Sequence, residues 1–175
     1  MTKERDLSRL FAKGQALETA VGTSSLFSQD GGLHLTSYKV QVDGKTTVID
    51  NLSIYGSVIL ILESKNFSVI QGEEHYHFWR GRGVRRYFSI PNPLDQNLYH
   101  AKILSRYLIT KGIKSNQFKI ETYVIVPDSC KIEVDEKSRK SILGQTDLVS
   151  LKQKHAFYNS TENAELNRVI KEGLF

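Results

Sequence analysis

The run V-I-L-I-L from Val58 to Leu62 passes without a break into Glu63-Ser64-Lys65. Successive side chains on a strand point to opposite faces, so an unbroken aliphatic run needs cover on both sides. This selects a central strand in a sheet packed by helices over a one-sided, solvent-facing sheet. The run is also far short of the ~20 apolar residues that span a bilayer. No turn residue separates it from the charges that follow, so Glu63 and Lys65 are carried on the end of a buried strand.

The rest of the pattern arranges itself around that strand. Leu7, Leu10, Phe11, Leu17 and Val21 recur at helical spacing and predict an amphipathic helix over Asp6 to Val21. Strands are predicted at Leu33 to Val42, at Thr46 to Ile54 after an Asp43-Gly44 hairpin turn, and at Ser57 to Lys65. Shorter β segments follow at Val69 to Gln71, His75 to Trp79 and Arg85 to Ile90. Asn92 and Pro93 start a helix and Lys111-Gly112 ends it, with Leu94, Leu98, Ala101, Ser105 and Leu108 as the expected apolar stripe. Gln96, His100, Ile103 and Tyr107 form a separate stripe. A strand from Phe118 to Pro127 and a helix from Glu162 to Glu172 complete an α/β order, a sheet flanked by helices.

A chain of 175 residues is expected to form one domain. The single cysteine, Cys130, excludes an internal disulfide and a multi-cysteine zinc site. The start, MTKERDLSRL, has no apolar stretch behind its charges, so a soluble, cytoplasmic protein is expected, with no membrane contact. Net charge is +5. Between Ser64 and Ile120, ten Lys and Arg face three acids, so the positive excess lies in the middle of the chain. That asymmetry suits a polyanionic partner on one face, and equally a solvated basic surface.

Two acids stand where the pattern asks for core residues. By strict alternation Asp50 shares a face with Val48, Leu52 and Ile54, while Glu63 and Lys65 share a face on the next strand. Antiparallel pairing of these strands brings Asp50, Glu63 and Lys65 together at one end of the sheet. Two carboxylates there suit a hard cation such as Mg²⁺, and an ammonium beside them can hold or deprotonate a water. On spacing alone, a plain salt bridge between Lys65 and an acid is the commoner arrangement. His75 and His77 lack a third zinc ligand, and Cys130 has no motif around it. Gly81 and Gly83 do not form a phosphate-cradling loop, and Trp79, Tyr87 and Phe88 are expected to pack the sheet.

The stretch VIDNLSIYGSVILILESKNFSVIQGEEHYHFWRG, followed by NPLDQNLYHAKIL, resembles the nuclease-related domain, a branch of the PD-(D/E)xK superfamily with the restriction-endonuclease-like fold. The upstream KGQALETAV fits that family's first-helix pattern through Lys13, Gly14 and Glu18. The resemblance implies a central mixed β-sheet flanked by helices, with a nuclease core over residues 1–127 and a C-terminal extension over 128–175. It implies that Asp50 and Glu63 bind the metal, that Lys65 is the catalytic lysine, and that Glu18 and Gln96 also serve the site. His100 follows Gln96 by one helical turn, as in the family's pattern, and is expected to contact nucleic acid. Two departures stand out: Asn51 where the family usually has His, and Leu17 where it usually has Gly.

The expected activity is Mg²⁺-dependent hydrolysis of DNA, with Mn²⁺ as a substitute ion. Arg80, Arg82, Arg85 and Arg86, with no acid among them, are expected on the nucleic-acid backbone. Two rival readings remain at this level. One is a nucleic-acid-binding module that keeps the fold without turnover. The other is a structural domain whose acids and Lys65 merely satisfy each other.

Overall fold

The computed structural model describes Leu17 and residues 32–83, 86–156 and 163–173. The helix expected over Asp6 to Val21 lies outside these residues apart from Leu17, as do Glu18 and Arg85. Strands β1 (Leu33–Val42), β2 (Lys45–Tyr55) and β3 (Val58–Ser64) form the expected antiparallel meander. Its first turn is left-handed at both central residues, with φ of 50° at Asp43 and 72° at Gly44. That backbone matches the twist of the strands it joins, which is why Asp-Gly suits the position.

All seven residues of β3 are buried. It is central in a five-stranded sheet of order β1-β2-β3-β7-β9, in which β7 (Lys119–Val126) runs parallel to β3 and β9 (Ile142–Gly144) runs parallel to β7. On one face Ile59 and Ile61 pack with Leu52, Ile54 and helix α1 (Pro93–Thr110), through Ile103, Leu104, Tyr107 and Leu108. The helix Ala164–Glu172 closes the same side through Leu166, Val169 and Ile170. On the other face Leu60 and Leu62 meet Leu17, Tyr55, Ile125 and the helix Asp147–Ala156. This is a mixed α/β, restriction-endonuclease-like architecture, and the aliphatic run is covered on both sides.

A single sheet was expected, and there are two. The short segments form a second sheet of order β6-β5-β4-β8, from β4 (Val69–Gly72), β5 (Phe78–Arg82), β6 (Tyr87–Pro91) and β8 (Lys131–Val134). The strand expected over His75 to Trp79 therefore begins later, because Glu73 and Glu74 lead through a turn. Ile70 and Trp79 pack this sheet on Val124, Val126 and Ile142. Gly72 is required opposite the Trp79 ring, since a Cβ there would sit 2.2 Å from it. The chain beyond Asp128 adds a strand to each sheet. Among the described residues, no helix is long and apolar enough to cross a membrane.

The face of α1 differs from the expected stripe. Leu98 is 62% exposed, whereas Asn97, His100, Ile103, Leu104, Tyr107 and Leu108 are buried. Polar side chains with partners inside the fold displaced the leucine: Asn97 Nδ2 donates to the Tyr123 carbonyl at 3.0 Å, and His100 turns toward β2 and β3.

Glu121 ties the helix Asp147–Ala156 to β7. It accepts from Lys119 Nζ at 2.6 Å and from the Tyr123 hydroxyl at 2.9 Å, and lies 3.2 Å from His155 Nε2. Burial pushes its carboxyl up, but these donors outweigh that and hold it at about 2. A depressed carboxyl stabilises the fold above its unfolded value and loses that contribution as pH falls toward its folded one. Thermal unfolding of wild type should therefore weaken between about pH 4.5 and 2, and Glu121→Gln should flatten the profile in that window. An unchanged profile would mean that the cluster contributes nothing to folding.

Candidate active site

Two strand irregularities create the site. In β1, Leu33 and Leu35 face the α1 side, but beyond Ser37 it is Tyr38, Val40 and Val42 that do so. In β2 the same change of parity separates Leu52 and Ile54 from Ile49, leaving Val48 49% exposed. The paired residues run Thr36↔Asn51 and then Tyr38↔Ile49, so Ser37 and Asp50 are opposite each other at the change. Ser37 takes a φ of 50°, a left-handed conformation uncommon for a residue with a Cβ. The expectation that Asp50 shares one face with Val48, Leu52 and Ile54 is thereby corrected. Asp50 stands where the strand changes which residues face inward.

Asn51↔Leu62 is the last pair between β2 and β3, so Asp50 and Glu63 come next on the two strands. Asp50 Oδ2 accepts the backbone N–H of Ser64 at 3.0 Å, which anchors its carboxylate at the end of β3. The backbone N–H of Lys65 donates to the Ile125 carbonyl at 2.9 Å and keeps Lys65 alongside β7. From there its ammonium donates to Glu63 Oε1 at 2.6 Å and to Gln96 Oε1 at 3.2 Å.

Glu63 is 2% exposed. Its second oxygen, Oε2, lies 3.4 Å from His100 Nε2, yet neither atom makes a hydrogen bond of acceptable angle. His100 Nδ1 is 2.6 Å from Thr47 Oγ1. A carboxylate can only accept, so the tautomer that suits both neighbours carries its proton on Nε2 and accepts from the Thr47 hydroxyl at Nδ1. Burial pushes the Glu63 carboxyl up, but the His100 contact and the Lys65 ammonium outweigh it, and the group stays below its ordinary value. Glu63 is a buried carboxylate held ionised.

The start of α1 is fixed so that Gln96 meets Lys65. Asn92 Oδ1 caps the Leu94 N–H at 2.9 Å, while its Nδ2 donates to the Glu74 and Tyr76 carbonyls. Gln96 and His100, four residues apart, then project from one side of the helix. His100 was expected to touch nucleic acid. It is 5% exposed, and its ring instead braces Glu63. Thr47 was not singled out from sequence; only the change of parity at Asp50 puts it on the His100 side.

The structure thus brings Asp50, Glu63, Lys65 and Gln96 together, with His100 behind them. Among the described residues, no group of three or more His, Cys, Asp and Glu is placed to hold a metal ion. Two carboxylates remain, which is the donor set Mg²⁺ uses when it keeps most of its waters. Asn51 is fully buried, and neither of its amide atoms has a hydrogen-bond partner. Leu17 fills the apolar cluster around Leu60 and Leu62. Arg80 and Arg82 lie exposed on the second sheet, and Arg86 is exposed in the bend before β6. His75 and His77 are exposed, each 3.5 Å from one acid. Burial pushes the Cys130 thiol up to about 11. Of the aromatic residues expected to pack the sheet, Trp79 does so, while Tyr87 is 39% exposed.

The family model of the nuclease-related domain matches residues 13–127, which takes in every one of these site residues. No curated protein and no solved structure matches the chain.

The geometry separates two polar side chains by what they support. Thr47→Val leaves His100 Nδ1 buried without its partner and should cost about 1–3 kcal/mol in urea unfolding. Gln96→Ala removes a half-buried group and should cost less than about 0.5 kcal/mol. Equal losses in the two variants would contradict this division.

Proposed function

The chain belongs to the nuclease-related domain family, and on that premise we propose that it hydrolyses phosphodiester bonds in DNA with the help of Mg²⁺, or Mn²⁺ in its place. The observation that carries this reading is the convergence of two carboxylates, Asp50 and the ionised Glu63, with the Lys65 ammonium at the ends of two adjacent strands. Two carboxylates beside one ammonium leave an excess of negative charge, which a cation bound between them would balance. Asp50 and Glu63 are the residues that would hold it. A divalent cation bound there supplies Lewis-acid stabilisation of the phosphate and lowers the pKa of a bound water.

The remaining residues have separable roles. Among the described residues, two of the three N–H donors of Lys65 go to Glu63 and Gln96, and the third is proposed to serve a water or a phosphate oxygen. Its side chain is 20% exposed, so such a ligand can reach it. Gln96 fixes the ammonium, and His100 with Thr47 holds the Glu63 side chain. Glu18, which lies outside the described residues, is proposed on family resemblance to complete the metal's shell through a water. Arg80, Arg82, Arg85 and Arg86 are proposed to hold the DNA backbone, and the site of action is proposed to be the cytoplasm.

A second reading, a DNA-binding module without turnover, draws on Asn51. It stands where the family usually has His, and its amide atoms are buried without partners. Cleavage of plasmid, linear and single-stranded DNA distinguishes the two readings. Wild type should cleave with Mg²⁺ or Mn²⁺ and not in EDTA, and Lys65→Ala should be slower by ~10²-fold or more. Cleavage in EDTA, or equal rates for wild type and Lys65→Ala, would contradict the mechanism. Binding without cleavage by wild type would establish the second reading.

A further inference from the structure

Strand alternation sorts the residues of β5 and β6 onto two faces. Trp79 and Gly81 turn inward, where Trp79 is 1% exposed and a Cβ on Gly81 would lie 2.9 Å from the Phe67 ring. Phe78, Arg80 and Arg82 take the opposite, outward face, and Phe78 is 66% exposed. Arg82 is paired with Tyr87 across the hairpin, and the guanidinium carbons of Arg80 and Arg82 lie 4.6 and 5.7 Å from the Tyr87 ring centre. Arg86 lies 5.2 Å from the Phe88 ring centre. Among the described residues, none of these three guanidinium groups has an acid within salt-bridge distance. Beside them is an open cavity of about 520 Å³, whose lining includes Tyr76, Phe78 and Arg80 and the acids Glu73, Glu133 and Asp135.

From this juxtaposition we infer that the outer face of β5 and β6 binds single-stranded DNA, with bases on Phe78 and Tyr76 and phosphates on Arg80 and Arg82. The inference rests on the nucleic-acid reading of the protein and adds a substrate form to it. Phe78 on the sheet and Tyr76 in the turn before it, whose ring centre lies 4.2 Å from that of His75, are exposed aromatic rings that offer stacking partners to bases, and only unpaired, splayed bases can present their faces to them. A protein partner would account for Phe78 alone. Two guanidinium groups on one face, with no acid within salt-bridge distance among the described residues, call for a polyanion as well. The Tyr87 ring keeps Arg80 and Arg82 ordered by cation–π contact while leaving their N–H groups to donate. Of the cavity's acids, Glu133 is engaged by Lys131 and Gln71, Asp135 accepts from Ser138 and the Glu74 N–H, and Glu73 lies 3.5 Å from His75, so the phosphates run over the arginines and the bases fill the cavity.

The test is fluorescence anisotropy in EDTA, where metal-dependent cleavage is suppressed, with an oligo(dT) of about 15 nucleotides and a duplex of equal length. Wild type should bind the single strand more tightly. Phe78→Ala should weaken that binding about fivefold or more with no change in its salt dependence, because a stack involves no counterions. Phe78→Leu, which keeps apolar bulk but loses the ring, should do the same and serves if the alanine variant folds poorly. Joint replacement of Arg80 and Arg82 by Gln should lower the slope of log affinity against log salt by ~0.7 for each phosphate that is no longer neutralised. Tighter binding of the duplex, or wild-type affinity in both Phe78 variants, would overturn the inference. So would loss of self-association by sedimentation in Phe78→Ala with DNA affinity intact, since the face would then join two copies. A wild type that binds neither DNA form would also overturn the inference; in every such case Lys65-dependent cleavage with Mg²⁺ keeps the nuclease reading, and its absence sinks that reading too.

Discussion

A carboxylate at the end of a strand covered on both faces has to be compensated from inside the protein. Water cannot reach Glu63 to any useful degree, so neighbouring side chains must hold its charge. Lys65 comes from the same strand, Gln96 holds Lys65 from α1, and His100 approaches the second oxygen with Thr47 behind it. The seating of α1 on the sheet is thus set as much by this polar cluster as by Ile103, Leu104 and Leu108. Lys65 compensates Oε1 directly, and His100 lies 3.4 Å from Oε2.

The second acid arrives by a different device. Asp50 occupies the residue at which β2 changes parity, opposite Ser37 in its left-handed conformation. A regular strand would force an acid at this point either into the core or out to solvent. The change of parity allows the inward residues on both sides of Asp50 to be apolar or to serve His100, while its own carboxylate reaches the Ser64 N–H at the end of β3. The acids of β2 and β3 therefore belong to one backbone arrangement, and the family match over residues 13–127 includes both strands.

Much of this was legible in the chain, for local reasons. The aliphatic run identified a doubly covered strand, Asp43-Gly44 identified a hairpin, and Asn92-Pro93 identified a helix start, because each depends on neighbours in sequence. Asp50 was visible as an acid out of pattern, yet its placement was misread, since alternation assumes a regular pleat and the irregularity involves Ser37 on another strand. The face of α1 was misread for a related reason. Leu98 looks like core and His100 like surface until the tertiary partners of Asn97 and His100 are known. The second sheet was seen only as short segments, because β4 pairs with β8, some sixty residues away, through a parallel contact with no local signature. Tyr87 was expected inside by its aromaticity and lies outside with the arginines.

The most direct test of the account is whether Asp50 and Glu63 hold one divalent ion between them. Titration calorimetry of the full chain with Mn²⁺ should show binding that weakens tenfold or more in Asp50→Asn and in Glu63→Gln, variants that keep side-chain size while removing the charge. Equal Mn²⁺ affinity in wild type and both variants would contradict it, and would leave the cluster as an internal ion pair at the end of a buried strand.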